Sequence, residues 1–259
     1  MKSSLAVLDS YAEGFRELIN SKVWSGARSI RELLHLNTAR DWYFICTAMD
    51  VVGDASGAVR NFLKFGLDGP TRYQDVGEGY LRLYGLLSAT YIQQQAVLKL
   101  YELMNVPNPR QVRGLLEALE LRQLRHKLAS HSTDYSPAKD AQVQTYVPIR
   151  MGIGGFHCLY ADNEQSKQTS VDLEKAIEEH CSLMISTLDS VYAKTFRTLY
   201  KGQSTKLHEF SERLADLRTE RDGGLVLKVS ENRKLVIRAF REVNLTSRST
   251  RTRRKRHVG

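Results

Sequence analysis

A chain of 259 residues, 42% of them apolar and 26% charged, is long enough for one large domain or two modest ones around a sizeable core, which excludes a disordered or fibrous class. Three scattered cysteines (Cys46, Cys158, Cys181) cannot form a disulfide framework, and no segment has the apolar length of a signal peptide or bilayer span. A reducing, cytoplasmic location without membrane partners is therefore expected. The net charge of +9 sits largely at one end: 246–259 holds five arginines, one lysine and no acid, leaving 32 basic residues against 29 acids elsewhere.

In chain order, 1–20 and 25–36 read as short helices. From Arg40 the apolar positions Trp42, Ile45, Met49, Val52, Val59 and Leu63, with Ser56 on the same seam, mark one face of a long helix that stops at "GLDGPTR". A second long helix carries Tyr80, Leu83, Tyr84, Leu87, Tyr91, Leu98, Tyr101 and Met104, and "NVPNP" ends it because proline cannot continue a helix. The third is predicted as one continuous helix from about Arg110 to about Ser130. "VQTYVPIRM" and "GFHCLYA" are β-rich stretches around a glycine cluster and predict a small hairpin. A fourth helix, about Ser170 to Tyr200, has Ser170 as its expected cap and Gly202 as terminator. After a short helix near 204–221, "GLVLKV" and "KLVIRAF" alternate across "SENR" as a second hairpin.

The expected fold is mainly α: an antiparallel helical bundle with small β-hairpin appendages. Its expected segments are N-terminal helices at 1–36, a bundle at 37–202 with a β-rich insertion at about 142–162, a C-terminal helix and hairpin at 203–245, and a disordered basic tail at 246–259. In that tail Arg251, Arg253, Arg254, Lys255 and Arg256 suit phosphate backbone through counterion release; a solvated tail and a nuclear address are equally compatible with its composition.

Most candidate motifs fail on their own chemistry. "GIGGF" (152–156) lacks the Lys-Ser/Thr that completes a phosphate loop. His157–Cys158 and His180–Cys181 invite a zinc reading, but adjacent side chains diverge and neither pair has ligand spacing. His180 falls between Ile177 and Met184 on an apolar stripe, as a satisfied core histidine would. No cofactor or metal ligand set is predicted.

The stretch "LRQLRHKLASH" is different. It places Arg125, the polar His126 and, after "HKLAS", His131 at the end of a helix; Arg122 and Lys127 add positive charge beside them. Continued as an α-helix, Arg125 and His131 lie about 120° apart around the axis. Between them runs a stripe of Leu121, Leu124 and Leu128, opposite a second apolar face of Val112, Leu115, Leu116 and Leu119. A helix apolar on two sides is either central to a core or used once for its core and once for a partner. Arginine–histidine pairs with five or six intervening residues also occur at Arg28–His35, Arg150–His157 and Arg251–His257, but only the 125–131 copy combines His126 with a bundle-helix context.

An arginine followed by a polar residue, with a histidine after four to six intervening positions, resembles the motif of the HEPN superfamily. The resemblance implies a helical bundle, a metal-independent endoribonuclease acting as a toxin or in antiviral defence, and a homodimer that brings the Arg125–His131 helices of two copies to one cleft. It implies RNA as substrate and an antitoxin or defence-system partner. His131 would be the base that deprotonates the ribose 2′-OH, Arg125 would stabilise the phosphate, and His126 would orient it or assist proton transfer; Arg122, Lys127 and the tail would bind RNA. Tyr135 stands four residues past His131 rather than two, which departs from the H-x-Y form of some HEPN toxins. The alternatives are a non-catalytic HEPN-like module binding RNA or a partner and, third, a zinc enzyme on His157, Cys158, His180 and Cys181.

Overall fold

The computed structural model describes residues 3–25, 28–71, 75–130, 132–136, 142–162, 167–230 and 233–237. The sequence's basic tail, with Arg251, Arg253, Arg254, Lys255 and Arg256, lies outside them, as does His131. The described chain is mainly helical with small antiparallel β appendages, as expected. Its helices are α1 (Ser4–Val23), α2 (Ile30–Leu33), α3 (Asp41–Phe65), α4 (Val76–Leu103), α5 (Pro109–Ala118), α6 (Glu120–Arg125), α7 (Leu173–Leu199) and α8 (Ser204–Arg221). Strands β1 (Tyr146–Gly154), β2 (His157–Asp162) and β3 (Gln168–Asp172) form one antiparallel sheet in sequence order; β4 (Leu225–Ser230) and β5 (Arg233–Ile237) form a separate hairpin.

Side-chain pairings fix the helix directions. Lys99 meets the Phe44 ring, Gln93 reaches the Val52 carbonyl and Arg82 reaches Asn61, so α3 and α4 run antiparallel. Ser4 bonds Glu178, Tyr11 bonds Asp189 and Lys22 bonds the Leu199 carbonyl, so α1 lies parallel to α7. One core receives Leu8 and Phe15 from α1, Val52 from α3, Leu87 from α4, Leu188 from α7 and Leu217 from α8. The expected boundaries at 36/37 and 202/203 therefore do not separate independent cores.

Two expectations are corrected. The cap of α7 is Asp172, whose carboxylate accepts from the Lys175 amide, while Ser170 sits in β3, a strand the sequence did not announce. More consequentially, the single third helix is three pieces. Leu119 takes an extended conformation (φ −61°, ψ 136°) between α5 and α6, and a π-helical turn, His126–Ser130, follows. The break rotates the second half relative to the first, so the two apolar faces belong to two helices facing one core. Leu116, Leu121, Leu124 and Leu128 are all buried there. The stripe of Leu121, Leu124 and Leu128 is thus spent inside the protomer, while Leu115 of α5 is half exposed.

The end of α3 is tied to the β1–β2 turn. Gly66 adopts φ 60°, ψ −156°, a region essentially reserved for glycine, and the Leu67 amide donates to the Gly155 carbonyl at 2.7 Å. A Cβ on Gly66 would stand 2.6 Å from that carbonyl oxygen. Gly66→Ala is expected to cost about 1–3 kcal/mol, read as a lower midpoint in thermal or urea unfolding. Gly114→Ala, where an added Cβ meets nothing within 4 Å, is the control.

Candidate functional site

The charged cluster of the 121–131 stretch gathers where α6 passes into the π-helical turn, against α4. The α-helix ends at Arg125, so the 120° separation expected from a regular helix does not apply. The wider π turn is a device common at functional sites, since it re-aims side chains within an otherwise continuous helix. The α-helix before it ends with the His126 amide donating to the Arg122 and Gln123 carbonyls.

Arg125 lays its guanidinium on the Tyr91 ring, 3.7 Å from the centroid. Its Nε is buried without a hydrogen-bond partner among the described residues, and no carboxylate pairs with it there. A planar cation stacked on an aromatic face keeps its forked N–H groups in a fixed plane, which matches a phosphate or carboxylate. Arg125 thus holds its charge in a fixed plane with no carboxylate paired to it among the described residues.

Arg122 is the opposite case and corrects its assignment as an RNA contact. It is 6% exposed, its Nη2 donates to Glu117 Oε1 at 2.6 Å, and its guanidinium also lies on Tyr91 at 4.3 Å. Its Nε–H is shared between Glu117 Oε2 at 3.2 Å and His126 Nε2 at 3.1 Å. Buried and paired, it builds the site instead of meeting a ligand.

His126 accepts that bond on Nε2, which requires this nitrogen to be unprotonated. Burial and the adjacent Arg122 charge hold its pKa below the ordinary histidine value; the Glu117 carboxylate, 3.5 Å from Nε2, pulls the other way. With Nε2 accepting from Arg122, a neutral ring carries its proton on Nδ1, and the geometry gives it the role of a positioned donor. A donor so placed is compatible with the expectation that His126 orients the phosphate or assists proton transfer.

Lys127 is also drawn inward. Its ammonium lies among the rings of Tyr135, Tyr146 and Tyr160, at 6.0, 5.2 and 5.5 Å from their centroids, and donates to the Tyr160 hydroxyl at 3.3 Å. Burial alone would lower its pKa, but the Tyr160 bond and the surrounding tyrosines raise it. This cage accounts for Tyr135, whose hydroxyl donates to Gln123 Oε1 at 3.2 Å. Lys127 thus joins the β-sheet to the π-helical turn, with its ammonium turned toward the protein's own tyrosines.

The zinc reading finds no geometry. Among the described residues no three or more His, Cys, Asp or Glu side chains converge to hold a metal. His180 is fully buried with both ring nitrogens hydrogen-bonded, to Gln93 Oε1 at 2.7 Å and Gln94 at 3.3 Å, and burial lowers its pKa to about 4. It is the satisfied core histidine its apolar stripe suggested.

Four contributors were missed in the sequence: Tyr91, Glu117, Gln93 and Gln94. The run "YIQQQAV" did carry a signal, because Gln93 and Gln94 interrupt a helix that is otherwise apolar on that side. Among the described residues no helix is long and apolar enough to cross a membrane. No family model matches the chain, and neither a curated protein nor a solved structure matches it.

Proposed function

We propose that this protein is a metal-independent endoribonuclease of the HEPN type. The observation that carries the reading is the Arg125 guanidinium, stacked on Tyr91, carrying no carboxylate among the described residues and adjacent to His126, whose Nε2 accepts from Arg122. In this proposal Arg125 holds the scissile phosphate and His131 takes the 2′-OH proton. The 2′-oxygen bonds to phosphorus, the bond from phosphorus to the 5′-oxygen breaks, and that oxygen leaves with a proton as a 5′-OH, giving a 2′,3′-cyclic phosphate. The developing charge on the phosphoryl oxygens is where a fixed guanidinium contributes most. DNA has no 2′-OH and is not cut by this route.

The tail arginines and Lys255 belong to the same proposal as a non-specific, salt-sensitive handle on RNA. So does pairing of two chains at this end of α6, although Leu121, Leu124 and Leu128 are spent in the protomer's own core and do not supply the contact. A cytoplasmic setting and an antitoxin or defence-system partner complete it; three free cysteines are consistent with a reducing compartment. The competing reading is a non-catalytic RNA- or partner-binding bundle, in which Arg122 and Lys127 serve the protein's own structure.

One experiment separates them. The purified chain is incubated with single-stranded RNA in excess EDTA, beside His131→Ala and a DNA oligonucleotide of the same sequence. RNA cleavage that persists in EDTA, spares the DNA and disappears in His131→Ala is the expected result. Intact RNA that is nevertheless bound, with affinity falling steeply as salt rises, supports the binding module instead. Cleavage lost only in Arg28→Ala or His35→Ala would relocate the site.

A further inference from the structure

A line of buried polar groups crosses the core between α3 and the site, through residues with no expected role. Gln93, Gln94 and His180 are each 0% exposed and Ser56 is 1% exposed. Such groups are stable in a core only when satisfied, and their pairing here has a single allowed direction. At the inner end the Val52 carbonyl can only accept, so the atom 2.9 Å from it is the Gln93 amide nitrogen, which also donates to Ser56 Oγ at 3.1 Å. Gln93 Oε1 is then left facing His180 Nε2, which must carry the ring proton. His180 Nδ1 is therefore an acceptor, and Gln94 must present its amide nitrogen to it. That leaves Gln94 Oε1 for Arg122 Nη1, 3.5 Å away. A guanidinium can only donate, so the outer end demands the same direction independently.

We infer that Gln94 and His180 are positioning residues: the buried chain from Val52 to Arg122 fixes the Arg122 guanidinium, which in turn holds His126 as the tautomer protonated on Nδ1. Glu117 holds Arg122 from the half-exposed side through two bonds, at 2.6 and 3.2 Å, and shares the Nε–H with His126. Gln94 Oε1 meets Nη1 from the buried side, 3.5 Å away, and so fixes the plane in which Nε–H reaches His126. Any consequence for RNA cleavage rests on the ribonuclease reading; the consequence for the His126 ring does not.

The test uses the full chain labelled with ¹⁵N-histidine, with long-range ¹H–¹⁵N spectra taken well above the ordinary histidine pKa of about 6.5. The wild type is expected to show His126 protonated on Nδ1 and His180 protonated on Nε2. Gln94→Met keeps length and apolar fill but neither donates nor accepts, and should turn His126 into a mixture of tautomers. Gln94→Glu restores an acceptor for Arg122 and should return His126 to the wild-type pattern while disturbing His180. Should Gln94→Met fail to fold, Arg122→Met makes the same reading from the outer end, with His180 unchanged. His126 protonated on Nε2 in the wild type, or unaltered in both methionine variants, overturns the inference. If the wild type cleaves RNA, Gln94→Met lowers kcat by about 10²-fold with KM unchanged; a tautomer shift with kcat intact overturns the positioning role. If the wild type cleaves nothing, the ribonuclease reading fails alone, and the spectra still decide whether the chain sets His126.

Discussion

On the ribonuclease proposal, Arg125→Ala is expected to lower the rate of EDTA-resistant RNA cleavage by about 10²–10³-fold, the scale observed when one fixed donor to a developing oxyanion is removed. Arg125→Lys recovers little of that loss. Lysine keeps the charge, but it can neither lie flat on Tyr91 nor present two parallel N–H groups to a phosphate. Stability behaves differently. The cation–π contact at 3.7 Å contributes about 0.5–2 kcal/mol, so Arg125→Ala melts modestly lower than the wild type. Tyr91→Phe preserves the aromatic platform and is expected to stay near wild type in both measurements. Arg125→Ala that melts lower yet cleaves RNA at the wild-type rate would leave Arg125 a packing residue and end its role as phosphate anchor.

The second large effect is on stability and involves no part of the site. Asp189 of α7 accepts from the Tyr11 hydroxyl of α1 at 2.9 Å and from Arg218 of α8 through two bonds of 2.8 and 2.7 Å, with Arg221 at 3.5 Å. One carboxylate thus clasps three helices. Asp189→Ala leaves the Tyr11 hydroxyl buried without a partner and releases both arginines. Breaking a fully buried pair costs about 3–5 kcal/mol, but Arg218 and Arg221 are more than a third exposed and turn to water, so about 2 kcal/mol is expected. Chemical denaturation at neutral pH measures it directly.

The clasp also sets a pH dependence. Burial pushes the Asp189 carboxyl up, but the bonds from Arg218 and Tyr11 outweigh burial and hold its pKa below the usual carboxylate value. A depressed folded-state pKa means the stabilisation is complete above the unfolded value, about 3.9, and is lost as pH falls through the folded value beneath it. The stability difference between wild type and Asp189→Asn should therefore be constant from neutral pH down to about 4 and shrink in stronger acid. A difference that instead widened on acidification would contradict the assigned pairing.

Much of the fold was legible in the sequence because long helices advertise themselves. The seam from Ile45 to Val59 and the row from Leu83 to Leu98 repeat every three or four residues, and the breakers "GLDGPTR" and "NVPNP" stop them where the structure does. His180 was legible as a core residue for the same reason: a polar group on an apolar stripe must be satisfied inside. The third helix was misread because periodicity reports which residues are apolar and is silent on chain continuity. A single extended residue, Leu119, re-phases the face, so two stripes on one imagined helix are in fact one stripe on each of two.

The sequence by itself determined the helical class, the hairpins and the presence of an arginine–histidine cluster near 125, since these depend on local pattern and composition. Only the tertiary structure decided which of those charges is available. Glu117 and Gln94 are distant from one another in the chain yet both reach Arg122, and Tyr91 lies beneath Arg125 because α4 packs against α6. Charge neutralisation and hydrogen-bond direction depend on approaches of about 3 Å between separate elements, and no periodicity along a single segment encodes them.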